Sequence, residues 1–188
     1  LDFKIPAHQS GKALTLRHVM THMTGLEETA RDLLTYGDKG PELGGVLKAY
    51  VPPYVYEPGT TPGYSNYATA LAGYIVERDS GMSFDDYIEK RVLHPIGMQQ
   101  STFRQPLPVS LQPQMSVGYF SQDKAGEGFE IISMPPAGSL SATGEDMGRF
   151  MLAILNQGRL GEAQLLKPET LKKMFSPVSR PTPAIDGI

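Results

Sequence analysis

Glycine and proline set the tightest limit on what this chain can fold into. Twenty glycines and sixteen prolines are dispersed over 188 residues without a repeat, about a fifth of the chain against an average nearer ~12%. Glycine costs backbone entropy inside a helix or strand, and proline has no N–H to give, so each tends to end an element rather than extend it. Short elements joined by many turns follow. The longest apolar run, 150–155, is six residues, far below the ~20 that a membrane-spanning helix needs. With 40% hydrophobic and 20% charged residues, the chain can still bury a core and is not a disordered tail.

Charge and cysteine content exclude further classes. Seventeen Lys and Arg stand against twenty Asp and Glu, a net −3, which leaves no cation excess to neutralise a nucleic-acid backbone or an anionic membrane. The absence of cysteine removes disulfides, thiolate metal sites and a cysteine nucleophile together. The opening Leu1-Asp2-Phe3-Lys4-Ile5-Pro6 has neither a signal-like charge pattern nor an initiator Met, so any targeting segment is expected outside this chain.

Periodicity and caps place the elements. Thr15 precedes Leu16, Val19, Met20 and Met23 at helical spacing, and Gly25 follows, which predicts a helix over 15–23. Weaker helical stretches are expected near 27–36 and 42–50, followed by a turn-rich passage over 57–63. Ala68, Leu71, Ala72, Ile75 and Val76 share a face over 65–79, and Gly81 closes that helix. Ser83 with Asp86 opens another helix, whose stripe of Phe84, Tyr87, Ile88 and Leu93 runs up to Pro95. Two strands, 115–121 and 129–133, are expected to form a hairpin around the turn 123–128. Thr143 and Asp146 cap a helix carrying Met147, Phe150, Met151, Ile154 and Leu155, and Pro168 opens a last short one. The fold class is α+β and mostly helical, with a small β-hairpin near 115–133, and 1–188 reads as a single segment without a linker.

Chemistry concentrates in Pro62-Gly63-Tyr64-Ser65-Asn66, which sets a phenol and a carboxamide two residues apart at a loop-to-helix junction. A phenol with its ordinary pKa near ~10 can take a proton at neutral pH only beside a cation. The plain structural account is a half-buried Tyr64 with Asn66 capping the helix. His18 and His22 have zincin-like spacing, but Val19 stands where a catalytic Glu would, and His22 is expected to hydrogen-bond the turn. Asp146 reads as a helix cap and His94 as a helix-end residue. Met147, Met151 and Met174 read as core. No metal or cofactor is implied.

The order Leu16-Arg17-His18-Val19-Met20-Thr21-His22-Met23-Thr24-Gly25-Leu26, Glu57-Pro58-Gly59, Tyr64-Ser65-Asn66-Tyr67, Gly73-Tyr74-Ile75-Val76-Glu77, Pro95-Ile96-Gly97-Met98 and Pro136-Ala137-Gly138-Ser139-Leu140-Ser141-Ala142-Thr143 resembles the serine β-lactamase-like, penicillin-binding-protein-like superfamily. Class C β-lactamases, D-Ala-D-Ala carboxypeptidases, D-aminopeptidases and related esterases belong to it. That group uses Ser-x-x-Lys, Tyr-x-Asn and Lys/His-x-Gly, of which Tyr64-Ser65-Asn66 is present here. Ser121-Gln122-Asp123-Lys124 fits the first by letter but follows Tyr64 and falls in a turn, which marks it as a decoy. The resemblance implies acyl transfer through a seryl ester on a β-lactam, a D-amino-acid peptide or a small ester. Tyr64 would be the proton-transfer group, and Asn66 would bond the lysine and the substrate amide. Ala137 and Gly138 would border the substrate. It also implies that the serine and lysine lie in the remainder of a longer parent chain, that the fragment alone is inactive, and that the location is periplasmic or extracytoplasmic. A catalytically inactive binding or regulatory module on the same scaffold is the alternative.

Overall fold

The computed structural model describes residues 1–178 apart from 31, 38, 125 and 127. Its elements in chain order are α1 (Leu16–Met20), β1 (Leu34–Tyr36), α2 (Leu43–Ala49), α3 (Asn66–Ser80), α4 (Phe84–Ile88), β2 (Glu130–Ile132), α5 (Gly144–Leu155), β3 (Arg159–Leu160), β4 (Ala163–Gln164) and α6 (Pro168–Met174). The α+β, mostly helical class stands, with small antiparallel strand pairs among the described residues.

The longest helix, α3, is the axis of the molecule. Ser65 caps it by accepting from the Ala68 N–H at 3.0 Å, and Gly81 ends it in the left-handed region at φ 70°, a conformation that costs glycine little. Its buried residues Tyr67, Ala68, Ala70, Leu71 and Tyr74 meet Val19 of α1, Leu43 and Leu47 of α2, Leu26 and Met134 in the first core. Small side chains let the neighbours come close. A Cβ on Gly73 would collide with the Pro136 ring, so the 3₁₀ turn Pro135–Ala137 lies directly on the helix. A second core joins Leu93, Ile96 and Met98, after α4, to Ala153 of α5.

Several elements differ from the sequence reading, each because a tertiary contact prevails over local pattern. Helix α1 stops at Met20, since His22 adopts φ 52°. Among the described residues of 27–36 no helix forms; the end of the stretch is β1, paired antiparallel with β2 as Leu34 to Ile132, Thr35 to Ile131 and Tyr36 to Glu130. The strand expected at 129–133 therefore exists, but its partner is β1 and not 115–121, where Met115, Val117, Tyr119 and Phe120 are exposed and no strand forms. Of the turn expected over 123–128, residues 125 and 127 lie outside the described set. The stretch after Ser83 is α-helical to Ile88, then widens to a π-turn over Glu89–Leu93 and tightens to a 3₁₀ turn over His94–Ile96. That end suits Pro95, which has no N–H for a regular ladder.

Met147, Met151 and Met174 are not core here: they are 37%, 59% and 60% exposed. Helix α5 buries the neighbouring stripe instead, with Asp146 and Ala153 buried and Phe150 against the second core. Asp146 is also not the cap. Thr143 caps by accepting from the Asp146 N–H at 3.2 Å, while the buried Asp146 carboxylate accepts from the Gln100 N–H and the Ser101 hydroxyl, both at 2.8 Å.

Candidate active site

The site forms where the turn after α1 meets the start of α3. The Gly63 N–H donates to His22 O and the Gly59 N–H to Met23 O, each at 2.8 Å, which lays the passage from Glu57 to Ser65 against that turn. Gly25, at φ 73°, continues it: Val55 and Tyr56 N–H groups donate to its carbonyl, and a Cβ there would strike Tyr56 O. The His22 ring lies 4.9 Å from the Tyr64 ring, centroid to centroid, and its Nδ1 accepts from the Ser65 N–H at 3.2 Å. Tyr64 is thus backed by an aromatic ring while 62% of its surface stays open.

The Tyr64 hydroxyl donates to Asn66 Oδ1 at 3.1 Å. Asn66 in turn gives two hydrogen bonds to one carboxylate, from its backbone N–H to Glu28 Oε2 at 2.7 Å and from Nδ2 to Glu28 Oε1 at 2.9 Å. The helix cap is Ser65, not Asn66, so the carboxamide is free of capping work and belongs to the Tyr64 and Glu28 contacts. The neighbouring Tyr67 is committed elsewhere. Burial pushes its phenol up, and its hydroxyl donates to Leu47 O at 3.2 Å. Tyr64 and Asn66 are brought together; Glu28 and His22 complete the group.

Ala137 and Gly138 end the 3₁₀ turn that packs against α3 at Gly73. Ala137 packs on the first core, and Gly138 opens onto a cleft of about 620 Å³ lined also by Gln105, Tyr119, Phe120 and Ser141. Pro136 touches α3 at Gly73, which is about 10 Å of helix beyond Asn66 at ~1.5 Å per residue. The helix is the shared scaffold of the two pairs. His18 forms a capping box with Thr15, its Nδ1 accepting from the Thr15 N–H at 3.3 Å, so both histidine rings of the zincin-like spacing hold local structure. Ser121 and Lys124 lie in an exposed turn closed by Lys124 N–H to Ser121 O at 3.3 Å.

Glu28 is not legible in the sequence, because nothing in 27–30 marks a residue that contacts a helix start 38 positions later. His22 is legible only as a turn residue, through its place between Thr21 and Met23 in the opening motif.

The family profile described as Beta-lactamase matches residues 1–188. An Escherichia coli (strain K12) protein named as a candidate D-alanyl-D-alanine carboxypeptidase is 29% identical over 168 residues, covering 76% of this chain and 37% of its own length. The monacolin J acid methylbutanoyltransferase of Aspergillus terreus is 25% identical over 184 residues, covering 89% of this chain and 43% of its own. This chain therefore spans less than half the length of these relatives. Among solved structures, the D-amino acid amidase of Ochrobactrum anthropi SV3 superposes with a TM-score of 0.65 at 22% identity, covering 84% of this chain and 46% of the amidase. The fold is shared at that identity. With residues 1–188 matched by the profile and the helix-start tyrosine and asparagine set in this scaffold, the chain belongs to the Beta-lactamase family.

Proposed function

We propose that this chain is part of a serine hydrolase that works through an acyl-enzyme on an amide, β-lactam or ester, with Tyr64 as the proton-transfer group. The observation that carries the reading is an exposed Tyr64 whose ring is backed by His22 and whose hydroxyl donates to Asn66 Oδ1 at 3.1 Å. A hydroxyl that donates to Asn66 is held in one direction, and placement of this kind can remove several kcal/mol from a barrier. In that state Tyr64 carries the proton a leaving nitrogen or oxygen needs. Taking the proton from the attacking serine requires a cation beside the phenol, a role for the lysine that the family's Ser-x-x-Lys motif supplies, here from the remainder of the parent chain. Asn66 has a further N–H with which to hold the substrate's amide carbonyl, and Ala137 and Gly138 border the substrate. A periplasmic or extracytoplasmic setting belongs to the same reading. The carboxypeptidase, acyltransferase and amidase names among its relatives agree with acyl transfer as the shared chemistry.

The test is Tyr64→Phe in the full-length enzyme. Ring and packing stay, the hydroxyl goes, and acylation should slow by ~10²–10⁴ with the melting temperature nearly unchanged. A Tyr64→Phe enzyme that acylates at the parent rate removes the assignment. The isolated 188-residue chain should neither hydrolyse nitrocefin nor retain a penicillin, and labelling of Ser121 would show that the turn serine is reactive after all.

A further inference from the structure

We infer that Glu28 is the positioning residue of this site: it fixes which end of the Asn66 carboxamide faces Tyr64 and which faces the substrate. The inference rests on the reading of Tyr64 and Asn66 as the reacting pair, and adds a residue on which that pair depends.

The argument is one of donors and acceptors. An ionised carboxylate only accepts hydrogen bonds, whereas a carboxamide has one donor end and one acceptor end. Glu28 offers its two oxygens side by side, one to the Asn66 backbone N–H at 2.7 Å and one to the side chain at 2.9 Å. Only the NH₂ end of Asn66 can meet that second oxygen. The carbonyl end is then forced toward Tyr64, where it accepts from the hydroxyl at 3.1 Å. Without Glu28 the carboxamide could rotate by half a turn and present N–H to the phenol, which reverses the direction of the Tyr64 proton. With it, one hydrogen of Nδ2 is used on Glu28 and the other is left for a carbonyl oxygen. The site is therefore arranged for a substrate with an acceptor, such as an amide carbonyl, on its acyl side.

Glu28 is exposed and lies on the segment after α1, not on α3, so its hold on Asn66 joins two parts of the chain through these bonds. At the helix start Ser65 accepts from the Ala68 N–H and one Glu28 oxygen from the Asn66 N–H, which satisfies two of the end's orphan donors, while the other Glu28 oxygen is given to the carboxamide.

A polarity swap tests this in the full-length protein. Glu28→Gln keeps one acceptor and replaces the other with a donor, so one of the two bonds is lost. Asn66→Asp sets two carboxylates against each other and should lower the melting temperature. When both substitutions are combined, the introduced glutamine accepts from the backbone N–H and donates to the introduced carboxylate. Both bonds then return with one reversed, and most of the lost melting temperature should return. A second measurement needs no folded variant: in the wild-type protein, the Asn66 side-chain amide protons should give two well-separated NMR signals, one shifted downfield by the carboxylate. A double variant no more stable than Asn66→Asp alone, or wild-type Asn66 amide signals like those of a solvent-exposed asparagine, would overturn the inference.

Kinetics then separates positioning from mere stability. In the full-length enzyme, the preference for N-acetylglycine p-nitrophenyl ester over p-nitrophenyl butyrate should fall about tenfold in Glu28→Gln, since only the first has an acyl-side amide. The double variant should recover stability but not this preference, because the carboxylate that replaces the Asn66 amide has no N–H to offer. An unchanged preference in Glu28→Gln would count against the positioning role. A wild-type enzyme that turns over neither ester would sink the acyl-transfer reading instead, and the swap and the NMR signals would still decide the place of Glu28.

Discussion

At Ser65 and Asn66, neighbouring polar side chains divide the work at the start of one helix. Ser65→Ala removes the cap and should cost ~1 kcal/mol of stability while leaving the Tyr64 hydrogen bond in place; urea unfolding checks the first half, and side-chain amide NMR signals of Asn66 that match the wild type check the second. Gly73 is constrained differently. A methyl group there meets the Pro136 ring, so Gly73→Ala should destabilise by about 1–3 kcal/mol despite its better helix propensity, and a rise in melting temperature would show that the 3₁₀ turn does not rest on α3. Tyr64 and Asn66 are visible from sequence because their spacing and helix-start setting are local. Glu28 is not, since its only signal is a contact made after folding, and neither is the service of Asp146 to Gln100 and Ser101 rather than to its own helix.

Among the elements, α3 and α5 are readable because their caps and their period agree: Ser65 and Gly81 bound one, Thr143 opens the other. Periodicity sets the face of α5 one stripe away from the buried one, since Met147 and Met151 continue the apolar pattern as well as Phe150 and Ala153 do, and only packing chooses between them. With Met151 and Leu155 at 59% and 78% exposed, lysine at either position should change the stability of this chain by no more than about 0.5 kcal/mol, measured by thermal melting. Beside α4, Arg104 gathers acidic partners: its guanidinium bonds Asp86 at 2.5 Å and Glu89 at 2.9 Å. The bond from Arg104, then that from Lys90, holds the Asp86 carboxyl below its ordinary value. Burial pushes Glu89 up, but its bonds from Arg104 and Thr102 prevail and hold it low. A carboxyl held low in the folded state contributes stability that is present above its unfolded pKa, near ~4, and lost as pH falls through the folded value. The melting temperature should therefore drop on acidification below about pH 4, and Arg104→Met should flatten that dependence. Burial raises Asp85 and works in the opposite direction, so Asp85→Asn should steepen the acid loss.

The molecule as a whole holds its halves together with contacts distant in sequence. β1 meets β2 from Leu34 to Ile132, Thr102 bridges to Ser141, and Pro136 sits on α3. Local pattern reading is blind to such pairings, which is why it favours a hairpin between neighbouring stretches in their place. The same pairings make continuity of the backbone dispensable at one place. Tyr119 and Phe120 are 63% and 74% exposed, in a stretch that offers chymotrypsin both an accessible backbone and its preferred side chains. A nick there separates β1 and α3 covalently from β2 and Pro136 without removing what binds them. The two pieces should therefore travel as one species on a sizing column under native conditions and part only in denaturant.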